Sequence, residues 1–158
     1  MNCKRYSKTL ILVLVVVTLS IEPSFASSVT FQKEYTYQAS ETDSKLIYVN
    51  CGIAYMEKGQ YDLAIRDFDE ALRIDPRNAS AYINRGLTYL VQGQHDLAIR
   101  DYGKAIEIDP SNANAYHSRC IAYSRLGLDQ QVIKDLRTSA RLGNVEAKRF
   151  LASERIDW

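Results

Sequence analysis

The side chains that could do chemistry in this chain are few, and the most suggestive of them recur. The hexapeptide DLAIRD stands at 62–67 and again at 96–101, so two acids and an arginine return 34 residues later. Paired carboxylates are common general acids and bases in enzymes, but they are normally set in a concave pocket. Asp62 and Arg66 instead have the i, i+4 spacing of an ion pair on a helix surface. We therefore predict a protein that is not an enzyme.

The histidines and cysteines are too scattered to predict a metal site. The chain has two histidines, His95 and His117, and three cysteines, Cys3, Cys51 and Cys120. A protein zinc site needs three or four clustered ligands, which this spacing does not offer. Glycine-rich phosphate loops and nucleophile-elbow motifs are also missing from the sequence, so we predict no metal and no cofactor. His95 is interpreted as a packing residue and His117 as a possible ligand contact.

The first 26 residues are organised like a secretory signal peptide. Three basic residues within 4–8 precede an apolar run from Leu10 to Leu19, and Ser24 and Ala26 are small residues before a cleavage point. An uncleaved anchor is the alternative, but a spanning helix needs about 20 apolar residues. We predict cleavage after Ala26 and an exported protein, periplasmic or secreted, most simply in a bacterial envelope. No stable membrane span is expected after cleavage.

Charge indicates no attraction to nucleic acid or to anionic membranes. The whole chain has a formal net charge of +1, and removal of the signal peptide takes away three basic residues and one acid. A net charge this close to zero provides no long-range attraction to a polyanion. A nucleic acid is therefore not the expected partner.

A period of 34 residues runs through most of the chain and indicates stacked helical hairpins. One shift superposes Tyr48, Tyr82 and Tyr116; Tyr55, Tyr89 and Tyr123; Gly59, Gly93 and Gly127; and Asp67, Asp101 and Asp135. Within a unit the apolar residues have helical spacing, a glycine can end the first helix, and a proline ends the second. Two short helices cannot bury their apolar faces alone, so neighbouring units must stack.

The units resemble tetratricopeptide repeats. The family's signature positions are held by Tyr48, Gly52, Tyr55, Ala64, Phe68, Ala71 and Pro76, and then by Tyr82, Gly86, Tyr89, Ala98, Tyr102, Ala105 and Pro110. The third unit is degenerate, with Cys120 in place of the first glycine and Asn144 in place of the proline. The predicted fold class is all-α, an α-solenoid of three stacked helix-turn-helix units with a C-terminal capping helix.

The predicted organisation follows from the period. It comprises a signal peptide (1–26), an extended segment (27–44), three repeats (45–78, 79–112 and the degenerate 113–146) and a capping helix (147–158). Small residues, among them Gly52 and Gly86, are predicted where the two helices of a unit cross. In the capping helix, Ala147, Phe150 and Leu151 are predicted to cover the last repeat. Cys51 and Cys120 lie a whole unit apart, beyond the about 7 Å that a disulfide spans, so two reduced thiols are expected.

The resemblance implies that the first helices line a concave groove that binds a protein or peptide. The partner-binding residues predicted on this basis are Val49, Asn50, Ile53, Ile83, Asn84, Leu87, Leu90, Val91, His117, Ile121 and Arg125. One subclass of the family clamps a terminal carboxylate. The equivalent positions here are Val49, Ile53, Asn84, Asn114 and Ser118, and only Asn84 fits. An apolar groove of this kind favours an amphipathic helix or an extended segment with large side chains.

Self-association is the alternative function. In the segment 27–44, Val29, Phe31, Tyr35 and Tyr37 alternate with polar residues at the period of a β-strand. This segment and the first repeat are the candidates for contact with the chain's own groove or with a second copy, which makes a homo-oligomer the alternative assembly.

Overall fold

The computed structural model describes residues 41–157, so the predicted signal peptide and the extended segment before residue 41 lie outside the described part. The described residues form seven α-helices and no strand. The helices are α1 (Glu41–Glu57), α2 (Tyr61–Ile74), α3 (Ala79–Val91), α4 (His95–Ile108), α5 (Ala113–Arg125), α6 (Asp129–Arg141) and α7 (Val145–Ser153). The predicted all-α solenoid is confirmed. α1 begins four residues before the predicted start of the first repeat at 45.

Consecutive helices pair into hairpins that stack in chain order. α1 packs on α2, α3 on α4 and α5 on α6, while α2 contacts α3, α4 contacts α5 and α6 contacts α7. The first helices of the hairpins also contact each other, α1 with α3 and α3 with α5, more than the second helices do. A stack with this asymmetry curves toward its first helices. We call α1, α3 and α5 the inner layer.

Glycines end the inner-layer helices because the backbone turns there with positive φ. Gly59, Gly93 and Gly127 have φ of 70°, 76° and 68°. A Cβ atom built on any of the three would meet nothing within 4 Å. The requirement for glycine at these turns is therefore conformational and not a matter of space.

Asparagines begin α3, α5 and α7. The side-chain oxygens of Asn78, Asn112 and Asn144 each accept a hydrogen bond from the backbone N–H three residues later in the chain, at 3.0, 3.1 and 2.8 Å. Each bond satisfies one of the N–H groups that a helix start leaves without a partner. Asn144 was notable in the sequence only as a departure from the family's proline, and the structure shows that it caps α7.

The hairpins pack closely because small residues stand at the helix crossings, as predicted. A Cβ atom on Gly52 would lie 2.5 Å from Cε1 of Phe68, and one on Gly86 would lie 3.0 Å from Cε1 of Tyr102. Both rings are fully buried. The first crossing therefore has no room for a methyl group, and the second has almost none.

Arginine–aspartate ion pairs join the two helices of the second and third hairpins. Nε and Nη2 of Arg85 donate to the two carboxylate oxygens of Asp101, both at 2.7 Å. Arg119 makes the same paired contact with Asp135, at 2.7 and 2.9 Å. Tyrosine rings one turn on either side lie 5.5–6.0 Å from the guanidinium carbons, a distance at which cation–π attraction adds to the pair.

The helix α7 covers the third hairpin, but with a narrower face than the sequence predicts. Ala147 and Leu151 are buried and pack with Cys120 and neighbouring apolar residues of α6. Phe150 is 48% exposed, so its assignment to the buried face is wrong. Residues 147 and 151 are one turn apart and form one stripe, whereas residue 150 is displaced around the helix from that stripe.

No disulfide joins Cys51 to Cys120, as expected from the sequence, because Cys120 is a free, buried thiol. Cys51 is only partly buried and is not a free thiol. The expectation of two reduced thiols therefore holds for Cys120 and is wrong for Cys51.

Candidate functional site

All of the predicted partner-binding residues lie on the inner-layer helices α1, α3 and α5, but they differ in how much surface they offer. Asn50 and Arg125 are exposed, and so are three large apolar side chains, Leu87, Val91 and Ile121. Val91 is the most open of the three apolar residues, with 54% of its surface exposed. These five residues are the part of the predicted site that a partner can reach directly.

A second set of predicted residues is half-buried and supports the exposed ones. Ile53 packs against the core of the first hairpin. Ile83 and Leu90 pack against the cluster that contains Ala98 and Tyr102. These residues hold the groove wall in place while showing one edge to solvent.

Two of the polar members of the predicted site are also half-buried. His117 lies on α5, and Asn84 lies on α3. The amide nitrogen of Asn84 donates to the backbone oxygen of Ser80 at 2.9 Å. That bond orients the Asn84 side chain along its own helix, so a partner meets an amide that is already held in place.

Val49 offers almost no surface to a partner. Only 7% of Val49 is exposed, and it belongs to the core cluster that includes Ala64 and Phe68. The helical wheel places Val49 one residue away from Asn50, so the two side chains point about 100° apart. Val49 therefore positions α1 against α2, and Asn50 is the exposed neighbour.

Four of the predicted residues meet at one cavity between the second and third hairpins. This cavity has a volume of about 410 Å³ and lies where α3 and α5 end and α4 begins. Its lining consists of Leu90, Val91, Gly93, His95, Ile121 and Arg125. The structure therefore brings together residues from three helices that are up to 35 positions apart in sequence.

Two residues of this lining, Gly93 and His95, were not predicted as site residues. His95 was interpreted as a packing residue, and it is indeed half-buried, but it also forms part of the cavity wall. The sequence did contain a signal for His95, because it stands where the first repeat has Tyr61. A change from tyrosine to histidine at a repeated position indicates that the surroundings of that position differ between the repeats.

The cavity has an apolar wall and positive electrostatic character. Within residues 41–157, Arg125 forms no ion pair. The Nδ1 atom of His95 is buried and has no hydrogen-bond partner. His95 is also the first residue of α4, whose N-cap residue Gln94 makes no side-chain cap, and the acid of that first turn, Asp96, does not line the cavity.

Metal coordination is not supported in the part of the chain that the structure describes. Nowhere in residues 41–157 do three His, Cys, Asp or Glu side chains gather as metal ligands would.

Among the described helices, none is long and apolar enough to cross a membrane. The absence of a cofactor and of catalytic activity remains a prediction.

The stacked hairpins, the inner layer and the turn glycines together define a helical-repeat solenoid. Residues 52–93 match the family model described as "TPR repeat", and residues 79–112 match the model described as "Tetratricopeptide repeat". Together the two matches span residues 52–112, and they agree with the resemblance that the motifs indicate. No curated protein matches the chain.

Solved structures of tetratricopeptide repeats are similar to this chain. The first repeat domain of Spaghetti (RPAP3), solved with the HSP90 peptide SRMEEVD, is 27% identical at a TM-score of 0.65, covering 70% of this chain and 91% of that one. The TPR domain of OM64 from Arabidopsis is 27% identical at a TM-score of 0.67, with coverage of 73% and 95%. MamA is 31% identical at a TM-score of 0.62, with coverage of 66% and 61%.

Proposed function

We propose that this protein is a non-enzymatic, exported interaction scaffold that binds a peptide or helix of an envelope partner along its inner layer. One observation carries the proposal: successive inner-layer helices expose apolar side chains, since Val91 of α3 and Ile121 of α5 line one cavity and Leu87 is exposed one turn before Val91 on α3. Single exposed apolar residues are ordinary, whereas a contiguous set beside a concavity is typical of a binding surface.

The structural neighbours support this function. The repeat domain of RPAP3 holds a bound peptide, and nearly the whole of that domain is matched here. Because 91% of that domain aligns with this chain at a TM-score of 0.65, we infer that this chain offers the same kind of inner surface. The proposal transfers the general activity, peptide binding, and not the particular peptide.

Capture of a terminal carboxylate is not part of the proposal. Of the clamp positions, Val49 is in the core and Ile53 is apolar. Asn114 accepts a hydrogen bond from Asn144 at 3.2 Å, so its side chain is engaged in holding the start of α7. An apolar groove with few fixed polar groups is suited to large side chains of an extended or helical segment.

A crosslinking experiment in the native host tests the groove. A photo-crosslinking amino acid at position 121 is expected to form an adduct with the partner. The substitution Leu87→Asp is expected to abolish that adduct, because it places a charge in the apolar contact. Leu97→Asp is the matched control: Leu97 is 39% exposed and Leu87 is 37% exposed, but Leu97 lies on α4 outside the inner layer.

The outcome of this experiment is decisive when folding is measured in parallel. Circular dichroism of both variants is expected to match that of the unmodified chain, since both sites are on the surface. An adduct that persists in Leu87→Asp at the level seen in Leu97→Asp would contradict binding along the inner layer.

Export is supported by the sequence of residues 1–26, which lie outside the described part of the structure. Intact-mass measurement of the protein isolated from its native host is expected to give a chain that begins at Ser27. Recovery of a chain that still carries Leu10–Leu19 would instead favour the membrane anchor.

Self-association is the second candidate, and exposed residues of α1 favour it. Leu46 and Ile47 are large apolar side chains on the surface of the first helix. A second copy that covered them would bury this apolar area. Sedimentation at several protein concentrations is expected to show one mass if the groove proposal is complete, and a concentration-dependent mass if copies associate.

A further inference from the structure

We propose that the cavity of Leu90, Val91, Gly93, His95, Ile121 and Arg125 receives an acidic side chain of the partner together with an adjacent large aliphatic side chain. The inference rests on the proposed function and adds the chemistry of the partner at one subsite. It commits to an aspartate or glutamate within a peptide segment.

The size and walls of the cavity favour a pair of side chains. Its volume of about 410 Å³ falls near the lower end of the range for ligand pockets, about 300–1,000 Å³. Leu90 and Val91 of α3 and Ile121 of α5 supply the large apolar side chains of the lining. An aliphatic side chain placed among them would be removed from water.

The charges around the cavity favour a negative group beside that aliphatic side chain. The three arginines of the inner layer differ in this respect, because Arg85 and Arg119 are paired with aspartates of their own hairpins. Arg125 has no such pair among the described residues. It is therefore the inner-layer arginine whose charge is available to a partner.

Two further features of the lining point the same way. The buried Nδ1 atom of His95, a residue of the lining, has no hydrogen-bond partner, so the chain itself leaves this polar atom unsatisfied. The start of α4 adds the positive end of a 14-residue helix dipole. No carboxylate lines the cavity, and the nearby acid of the first turn, Asp96, is exposed and outside the lining. The lining thus presents positive character that no lining group of the chain neutralises.

The test uses the full chain and blocked tetrapeptide probes, followed by backbone and imidazole NMR shifts. The first probe is Ac-Gly-Leu-Glu-Gly-NH2, and the second differs only by glutamine in place of glutamate. The third carries glutamine and a free carboxyl terminus. The glutamate probe is expected to shift the amide of Gly93 and the ring of His95, and to bind about fivefold more tightly than the glutamine probe. That ratio corresponds to one partly exposed ion pair.

Two variants with the same charge change separate the cavity from general electrostatics. Arg125→Gln is expected to remove the preference for glutamate. Arg100→Gln is expected to keep it, since Arg100 is an exposed arginine of α4 that does not line the cavity. Both sites are on the surface, so neither variant is expected to unfold.

Three results would overturn the inference. These are equal binding of the glutamate and glutamine probes, preference for the free carboxyl terminus, and shifts that leave Gly93 and His95 unmoved. Each of them leaves the scaffold function open, because that function is decided separately by the adduct at position 121.

Discussion

At the scale of single residues, Asp67 shows what a repeat loses when one member of a recurring ion pair is replaced. Asp101 and Asp135 each hold an arginine from the first helix of their hairpin. The first hairpin has Cys51 at the arginine position. One carboxylate oxygen of Asp67 is buried there without a hydrogen bond. Burial raises the pKa of Asp67, although the charge of Arg66 partly opposes that rise.

Asp67→Asn is therefore expected to stabilise the protein slightly at neutral pH, by less than about 1 kcal/mol since the group is partly exposed. An acid whose pKa is raised by folding binds more protons in the folded state. Its contribution to stability is present at low pH and is lost as pH rises above the unfolded value of 3.8. The difference in unfolding free energy between Asp67→Asn and the unmodified chain in urea denaturation should grow as pH rises from 3 through the raised pKa of Asp67, and then level off.

The matched substitution in the second hairpin should have the opposite sign. Asp101→Asn removes the charge that holds Arg85, whose pKa is lowered by burial and raised more strongly by the pairs with Asp101 and Asp69. Leaving that guanidinium without its main partner is expected to cost about 3 kcal/mol of unfolding free energy at pH 7. Equal effects of Asp67→Asn and Asp101→Asn in the same denaturation assay would contradict this account of the two sites.

The residues of these pairs could be aligned from the sequence, but their contact could not. Asp67, Asp101 and Asp135 superpose under the period, and so do Cys51, Arg85 and Arg119. The spacing of 16 residues crosses a turn, and helical periodicity indicates which side of a helix is apolar without stating which polar side chains meet across the hairpin.

At the scale of the helices, the two crossing glycines respond differently to the same change. Gly52→Ala places a methyl group 2.5 Å from the buried ring of Phe68 and is expected to cost about 1–3 kcal/mol. Gly86→Ala meets Tyr102 at 3.0 Å, a milder contact that the about 1 kcal/mol gain in helix propensity largely offsets. Thermal denaturation of the two variants should show a clear loss for Gly52→Ala and little change for Gly86→Ala. A larger loss for Gly86→Ala would mean that the first crossing relaxes more easily than its distances indicate.

The last helix depends on one side chain at its start. Asn144 caps α7 through its oxygen and binds Asn114 through its nitrogen, at 2.8 and 3.2 Å. Asn144→Ala removes both bonds, whereas Asn112→Ala removes the capping bond of α5 at 3.1 Å. Asn144→Ala is expected to cost about 1–2 kcal/mol and Asn112→Ala about 1 kcal/mol. Amide hydrogen exchange should show the loss from Asn144→Ala concentrated in α7.

At the scale of the whole array, the sequence predicts the helical architecture better than it predicts which side chains are exposed. The period predicts the hairpins, their turns and the inner layer, because each unit repeats the same burial pattern. The accessible part of the groove depends on how neighbouring hairpins pack. That is why His95 joins a cavity formed by three helices. Val49 and Phe150 depart from prediction for a different reason, namely their positions around α1 and α7, which leave Val49 in the core and Phe150 exposed.

Each hairpin in such an array contacts only its neighbours, so a destabilising substitution at one end should affect mainly the adjacent helices. Leu151 is fully buried against the third hairpin. Leu151→Ala is expected to cost about 2–4 kcal/mol and to speed amide exchange in α6 and α7 while leaving α1 and α2 nearly unchanged. Uniformly faster exchange across residues 41–157 would show that the hairpins unfold as a single unit.

The single buried sulfhydryl of the third hairpin has a chemical consequence. Cys120 is only 4% exposed, and burial, assisted by the nearby charge of Asp135, raises its pKa to about 12. Thiolate is the form that reacts with alkylating agents, so the folded hairpin keeps this sulfur inert at neutral pH. The rate at which iodoacetamide labels Cys120 therefore measures how often the third hairpin opens, without any introduced probe.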